Sequence, residues 1–168
     1  MRVSRMSVVE AAGHASAPVP AIPLHPAPLQ RVRVLIVDDL AENRVMLGLC
    51  CDRFGLNHEC VENGRQAVEA ARSGRFDVIL MDTFMLRMDG MTATRAIRAL
   101  EGPASAVPII AVSPAATPGE VSVYRSCGMS DVVCRPIDPA RLLAALTAAL
   151  ATVGRDRWPS LAPARLSA

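Results

Sequence analysis

The feature that most constrains the fold is a short apolar run, Val78-Ile79-Leu80-Met81, that ends on a carboxylate, Asp82. The run has no alternating polar face. It therefore suits a strand buried on both sides, as in a parallel sheet covered by helices. The carboxyl ends of such strands border the crevice where open α/β sheets bind ligands. Asp89-Gly90 then reads as a turn, and a helical pattern resumes at Met91. A second run has the same design: Val34-Leu35-Ile36-Val37 ends in Asp38-Asp39, with a helical pattern from Ala41. Side by side, the two strands bring three carboxylates to one sheet edge. Charges that close ionise together only beside a cation, and an all-oxygen donor set favours Mg²⁺. The plainer alternative is that the carboxylates cap the turns that follow the strands.

The remaining chain alternates strand and helix signals. A helix is expected over 41–54, with Val45, Met46, Leu49, Cys50 and Phe54 on one face and Gly55 as its stop. Residues 56–61 make a poorer strand, with His58 and Glu59 inside it, so it belongs at the sheet edge with His58 at the surface. Asn63-Gly64 turns into a helix over 65–73, buried through Ala67, Val68 and Ala71. A third helix, 91–100, packs Ile97 and Leu100, and Gly102-Pro103 breaks the chain after it. Residues 107–112 form a strand ending at Ser113. Thr117-Pro118-Gly119-Glu120 is a capping box with Pro at the first helical position. The helix it opens is rich in indifferent helix formers and is expected to be short and mobile. A last strand over 131–134 and a Leu/Ala helix over 139–153 complete the set. Five strand–helix pairs with short joints give an α/β fold, a doubly wound five-stranded parallel sheet of the flavodoxin-like order 2-1-3-4-5 with five helices.

Composition narrows the function. The 168 residues suit one domain plus tails, and no apolar run approaches the about 20 residues that span a bilayer. A net charge of +2, with basic residues scattered, makes no case for nucleic acid. There is no Lys in the chain; every non-histidine basic residue is Arg. The cysteines Cys50, Cys51, Cys60, Cys127 and Cys134 have no zinc or C-x-x-C spacing and lie in apolar surroundings, so they are expected as buried, reduced thiols in a cytoplasmic protein. Residues 1–30, rich in Ala and Pro, read as a disordered arm, with His14 and His25 as bystanders. Glu10 and His14 interrupt any export signal ahead of Ala15-Ser16-Ala17. Residues 154–168 read as a flexible tail in which Trp158 is the one residue with docking potential.

Four blocks carry a family resemblance: Val-Asp-Asp at 37–39, Ile-Leu-Met-Asp followed by Met-Asp-Gly at 79–90, Pro-Ile-Ile-Ala-Val-Ser at 108–113, and Arg-Pro-Ile-Asp at 135–138. In order and separation they resemble the receiver domain of two-component response regulators, over roughly residues 31–153. The resemblance implies that Asp82 accepts a phosphoryl group from a histidine kinase or histidine phosphotransfer protein. It implies Mg²⁺ held by Asp38, Asp39, Asp82 and the backbone carbonyl of Phe84. Ser113 matches the switch hydroxyl, and Arg135 stands where the family has Lys, a non-conservative exchange. Arg135-Pro136 matches a peptide that is usually cis. Pro114 removes a backbone N–H that the family directs at the phosphoryl group. Leu86 replaces a usual Pro, and Val132 a common aromatic.

The expected function is thus a stand-alone response regulator in a phosphorelay, cytoplasmic, signalling through protein–protein contact. It is not an enzyme beyond self-catalysed phosphoryl transfer and slow self-dephosphorylation. The expected contact surface comprises Val121, Tyr124, Arg125, Val132, Arg141 and Ala145. The alternative is a degenerate receiver that binds proteins independently of phosphorylation. No nucleic acid and no membrane insertion are implied.

Overall fold

The computed structural model describes residues 31–152. The readings of the 1–30 arm and the 154–168 tail, Trp158 included, lie outside the described residues. Within them, five strands and five helices alternate. They are β1 (Arg33–Val37), α1 (Ala41–Arg53), β2 (Asn57–Val61), α2 (Gly64–Arg72), β3 (Val78–Asp82), α3 (Gly90–Arg98), β4 (Ile109–Ser113), α4 (Pro118–Ser126), β5 (Asp131–Cys134) and α5 (Pro139–Thr152). The sheet is wholly parallel, in the order β2-β1-β3-β4-β5. The expected topology and edge position of β2 are both observed. β4 begins two residues later than expected, because Pro108 has no N–H to give to a ladder.

Period-2 alternation divides the central strands between two cores. Val34, Ile36, Val78, Leu80, Ile110, Val112 and Val133 face α1 and α5, meeting Leu47, Cys51, Leu142 and Leu146. Leu35, Val37, Ile79, Met81, Ile109 and Ala111 face the other way, onto Ala67, Ala71, Ala93 and Ile97 of α2 and α3. That is why the β1, β3 and β4 runs are apolar without interruption. Register places Val37 beside Met81, and Asp82 beside Val112. The carboxylates that follow β1 and end β3 therefore emerge at one edge.

Three expectations fail in part. On the expected α1 face Met46, Cys50 and Phe54 reach the core, but Val45 and Leu49 point to solvent, and the fully inward residues are Leu47, Gly48 and Cys51. Leu47 and Cys51 are one helical turn apart, a stripe the neighbouring apolar positions concealed. Cys60 and Cys134 are exposed, because β2 is an edge strand and Cys134 ends β5; Cys51 and Cys127 are buried, and none of the cysteines is in a disulfide. Burial pushes the Cys51 thiol up to about 12, which keeps it protonated and inert. Of the expected contact surface, Tyr124 and Ala145 are buried: Ala145 lies on the Leu142–Leu146 core stripe, and Tyr124 turns under the sheet. Arg125 and Arg141 remain exposed. His58 lies at the sheet edge as expected, half-buried and paired with Asp52 at 3.4 Å.

Arg98 has no place in any motif, yet it fastens α3 to two loops. Its guanidinium donates to the carbonyls of Gly128 (3.0 and 2.7 Å), Ser105 (2.9 Å) and Val107 (2.8 Å). Gly128 has φ +99° and lies against the Arg98 side chain, so a Cβ there would both strain the backbone and collide. No helix among the described residues is long and apolar enough to cross a membrane.

Candidate functional site

β1 delivers Asp38 and Asp39, and β3 delivers Asp82. One oxygen from each lies within 4.8 Å of the others. Asp38 is fully buried and fixed on every side. Its Oδ1 accepts from the Leu40 N–H and from Asn43 Nδ2, each at 3.0 Å, and its Oδ2 pairs with Arg135 Nη2. Asp39 is half-exposed and accepts the Leu86 N–H through Oδ2 at 3.1 Å, which ties the β3–α3 loop across the pocket. Asp82, 3% exposed, accepts at Oδ1 from the Phe84 N–H (3.3 Å) and from Arg135 Nη1 (3.2 Å).

Burial pushes the Asp82 carboxyl above its ordinary range, and the negative charge of Asp38 adds to this, while Arg135 opposes it. A raised, water-poor carboxylate at a strand end is a common property of functional sites. The donor set is oxygen throughout, on three carboxylates that already converge. That chemistry fits Mg²⁺, a hard cation that binds through one or two carboxylates and keeps several waters. Gly90 lets α3 start hard against β3, since a Cβ there would collide with the Asp82 carbonyl oxygen.

Ser113 ends β4 and is buried. Its hydroxyl donates to the Ala115 carbonyl at 2.6 Å, so its single proton is used there. The Tyr124 hydroxyl, 3.1 Å away, must then be the donor to Ser113 Oγ. Among the described residues no hydrogen bond joins Ser113 to Asp82. Arg135 follows β5, its N–H donating to the Ser113 carbonyl at 2.8 Å, and Arg135-Pro136 is cis. Phe84 and Leu86 are 60% and 77% exposed, and Leu40, in the chain to α1, is exposed as well.

The structure thus gathers Asp38, Asp39, Asp82 and Arg135 into one pocket, with Ser113 held to the next loop. Sequence reasoning missed Asn43 and Tyr124. Asn43 sits two residues into α1 on the turn facing Asp38, where a short amide is a detectable signal. Tyr124 is the one tyrosine in the chain, in a helix of small and polar residues, and nothing in its spacing points to Ser113.

Comparison with known proteins gives the site a context. The response regulator receiver domain profile matches residues 34–147. The chain is 38% identical over 112 residues to the sensor protein GacS of Pseudomonas syringae pv. syringae, covering 66% of this chain. It is 37% identical over 109 residues to the signal transduction histidine-protein kinase BarA of Escherichia coli K12, covering 65%. In both cases the match spans only 12% of the relative's length. Among solved structures, the receiver domain of the sensor histidine kinase PA1611 of Pseudomonas aeruginosa PAO1 superposes with a TM-score of 0.66 at 34% identity, covering 71% of this chain and 97% of that one. That receiver carries a magnesium ion coordinated in its active-site cleft. Vibrio cholerae chemotaxis protein CheY4 gives the same TM-score at 28% identity, covering 71% and 98%.

Proposed function

Because the chain belongs to the response regulator receiver family of two-component systems, we propose that Asp82 accepts a phosphoryl group from a phosphohistidine of a histidine kinase or histidine phosphotransfer protein. The observation that carries this reading is the convergence of Asp38, Asp39 and Asp82 at the ends of β1 and β3, with Arg135 against them. An Asp82 carboxylate oxygen attacks phosphorus in line; the P–O bond forms as the P–N bond to the donor imidazole breaks, and the leaving imidazole takes up a proton. Asp38, Asp39, Asp82 and the Phe84 carbonyl would hold Mg²⁺, which offsets charge on the transferring oxygens when bound. Ser113 would answer the new charge by turning its hydroxyl from Ala115, and Arg135 would pair with a phosphoryl oxygen in place of a lysine. The protein would act in the cytoplasm as a phosphoacceptor that resets by slow self-dephosphorylation.

A second reading, a receiver that binds its partner whatever the state of Asp82, is favoured by Pro114. That residue follows the switch hydroxyl and has no N–H to offer a phosphoryl oxygen. One experiment tests the first reading. The full chain is incubated with phosphoramidate and Mg²⁺ and its intact mass measured. Wild type should gain one phosphoryl group, and Asp82→Ala and chelated samples none. Equal labelling of Asp82→Ala would remove Asp82 from the reaction.

A further inference from the structure

The acid pocket has a cation of its own. Arg135 reaches Asp82 Oδ1 through Nη1 at 3.2 Å and Asp38 Oδ2 through Nη2, so one guanidinium bridges two carboxylates. A planar fork spans two acceptors in this way, whereas a lysine ammonium is a compact point charge on a flexible stem. Asp38 is fully buried and Asp82 nearly so, which leaves water little part in neutralising them. Arg135 Nε is itself buried with no acceptor among the described residues. The side chain's position is therefore dictated by the two carboxylates, since its third donor gains nothing there. Asp38 has both oxygens engaged, Oδ1 by Leu40 and Asn43 and Oδ2 by Arg135.

We propose that Arg135 is the resident counter-ion of this pocket and sets its affinity for a divalent cation, because the cation gains Asp38 Oδ2 and Asp82 Oδ1 only by displacing the guanidinium. The inference rests on the pocket being a cation site, and it adds a role for Arg135 that precedes any contact with a phosphoryl group. Cation binding in this chain is an exchange of one positive group for another. It is weak in wild type, and the folded state does not depend on it. With the guanidinium removed, two buried carboxylates face each other and the pocket both binds the cation tightly and needs it.

Calorimetric Mg²⁺ titrations of the full chain compare wild type with Arg135→Lys and Arg135→Gln, each checked for folding by its amide NMR spectrum. Affinity should rise by roughly tenfold or more in Arg135→Gln, with Arg135→Lys between. Melting temperature should respond to excess Mg²⁺ strongly in Arg135→Gln and little in wild type. In wild type itself, Mg²⁺ should shift the Arg135 Nε–H resonance, a reading that survives if the variants do not fold. Equal or weaker affinity in Arg135→Gln, or an Arg135 resonance unmoved at saturation, overturns the inference while leaving the cation site intact. No Mg²⁺ binding by any of the three overturns both.

Discussion

Asp82, the proposed nucleophile, is 3% exposed beside the exposed ring of Phe84, and the two side chains set opposite conditions for water. Phosphoryl transfer to Asp82 gains from a dry pocket, and loss of the phosphoryl group needs water to enter. Phe84, two residues on, fixes Asp82 through its backbone N–H but offers no side-chain donor or acceptor to orient an attacking water. Ala115, two beyond Ser113, offers none either. Phe84→Asn is therefore expected to speed decay of the phosphorylated protein severalfold, followed by intact mass after the donor is removed. An unchanged decay rate would reduce Phe84 to a space-filling role. Much at this scale was legible from sequence, because strand ends mark where the side chains of Asp38, Asp39, Asp82 and Ser113 must emerge. Tyr124 was not legible. Its hydroxyl meets Ser113 across eleven residues of chain, whereas the sequence placed it on the expected contact surface.

At the scale of elements, the joints matter more than the elements themselves. α4 begins as its capping box predicts, with Thr117 Oγ1 accepting from the Glu120 N–H and Glu120 accepting from the Thr117 N–H. α3 is held at its other end by Arg98, whose donors satisfy three carbonyls in the segments before β4 and β5. Desolvation holds its pKa below the usual arginine value, yet a guanidinium remains charged throughout any working range. Arg98→Met keeps the stem packed against Gly128 and deletes the donors. The loss should be roughly 2–3 kcal/mol, on the order of 10 °C in melting temperature, with Asp82 labelling retained. A change within about 0.5 kcal/mol would mean that water replaces the guanidinium at those carbonyls. Sequence located this helix within two residues at each end but not its fastening, because an arginine on an amphipathic helix is ordinarily solvated. The same limit explains α1, where Val45 and Leu49 fit an inward face by spacing and in fact point outward.

For the molecule as a whole, the two-core sandwich is stable enough to hold a charge arrangement that lowers its stability, and pH reveals that cost. The folded state raises the Asp82 pKa, chiefly by desolvation and then through Asp38, against the pull of Arg135. A carboxyl whose folded pKa exceeds its unfolded value binds its proton more tightly in the native state. Stability then falls as pH rises from the unfolded pKa, about 3.9, through the folded one, and the full cost persists at neutral pH. Asp82→Asn removes the titrating group while keeping its shape, and Arg135 retains Asp38 as partner. The variant should therefore melt above wild type at pH 7 in the absence of Mg²⁺. The gap should close as pH falls towards the ordinary carboxylate range, where wild-type Asp82 takes up its proton. Adding Mg²⁺ at pH 7 should leave most of the gap standing, because Arg135 keeps cation binding weak in wild type and the variant lacks a ligand. A variant that melts below wild type at pH 7 would mean that the Arg135–Asp82 pair outweighs desolvation, and that ionised Asp82 stabilises the fold it was taken to strain.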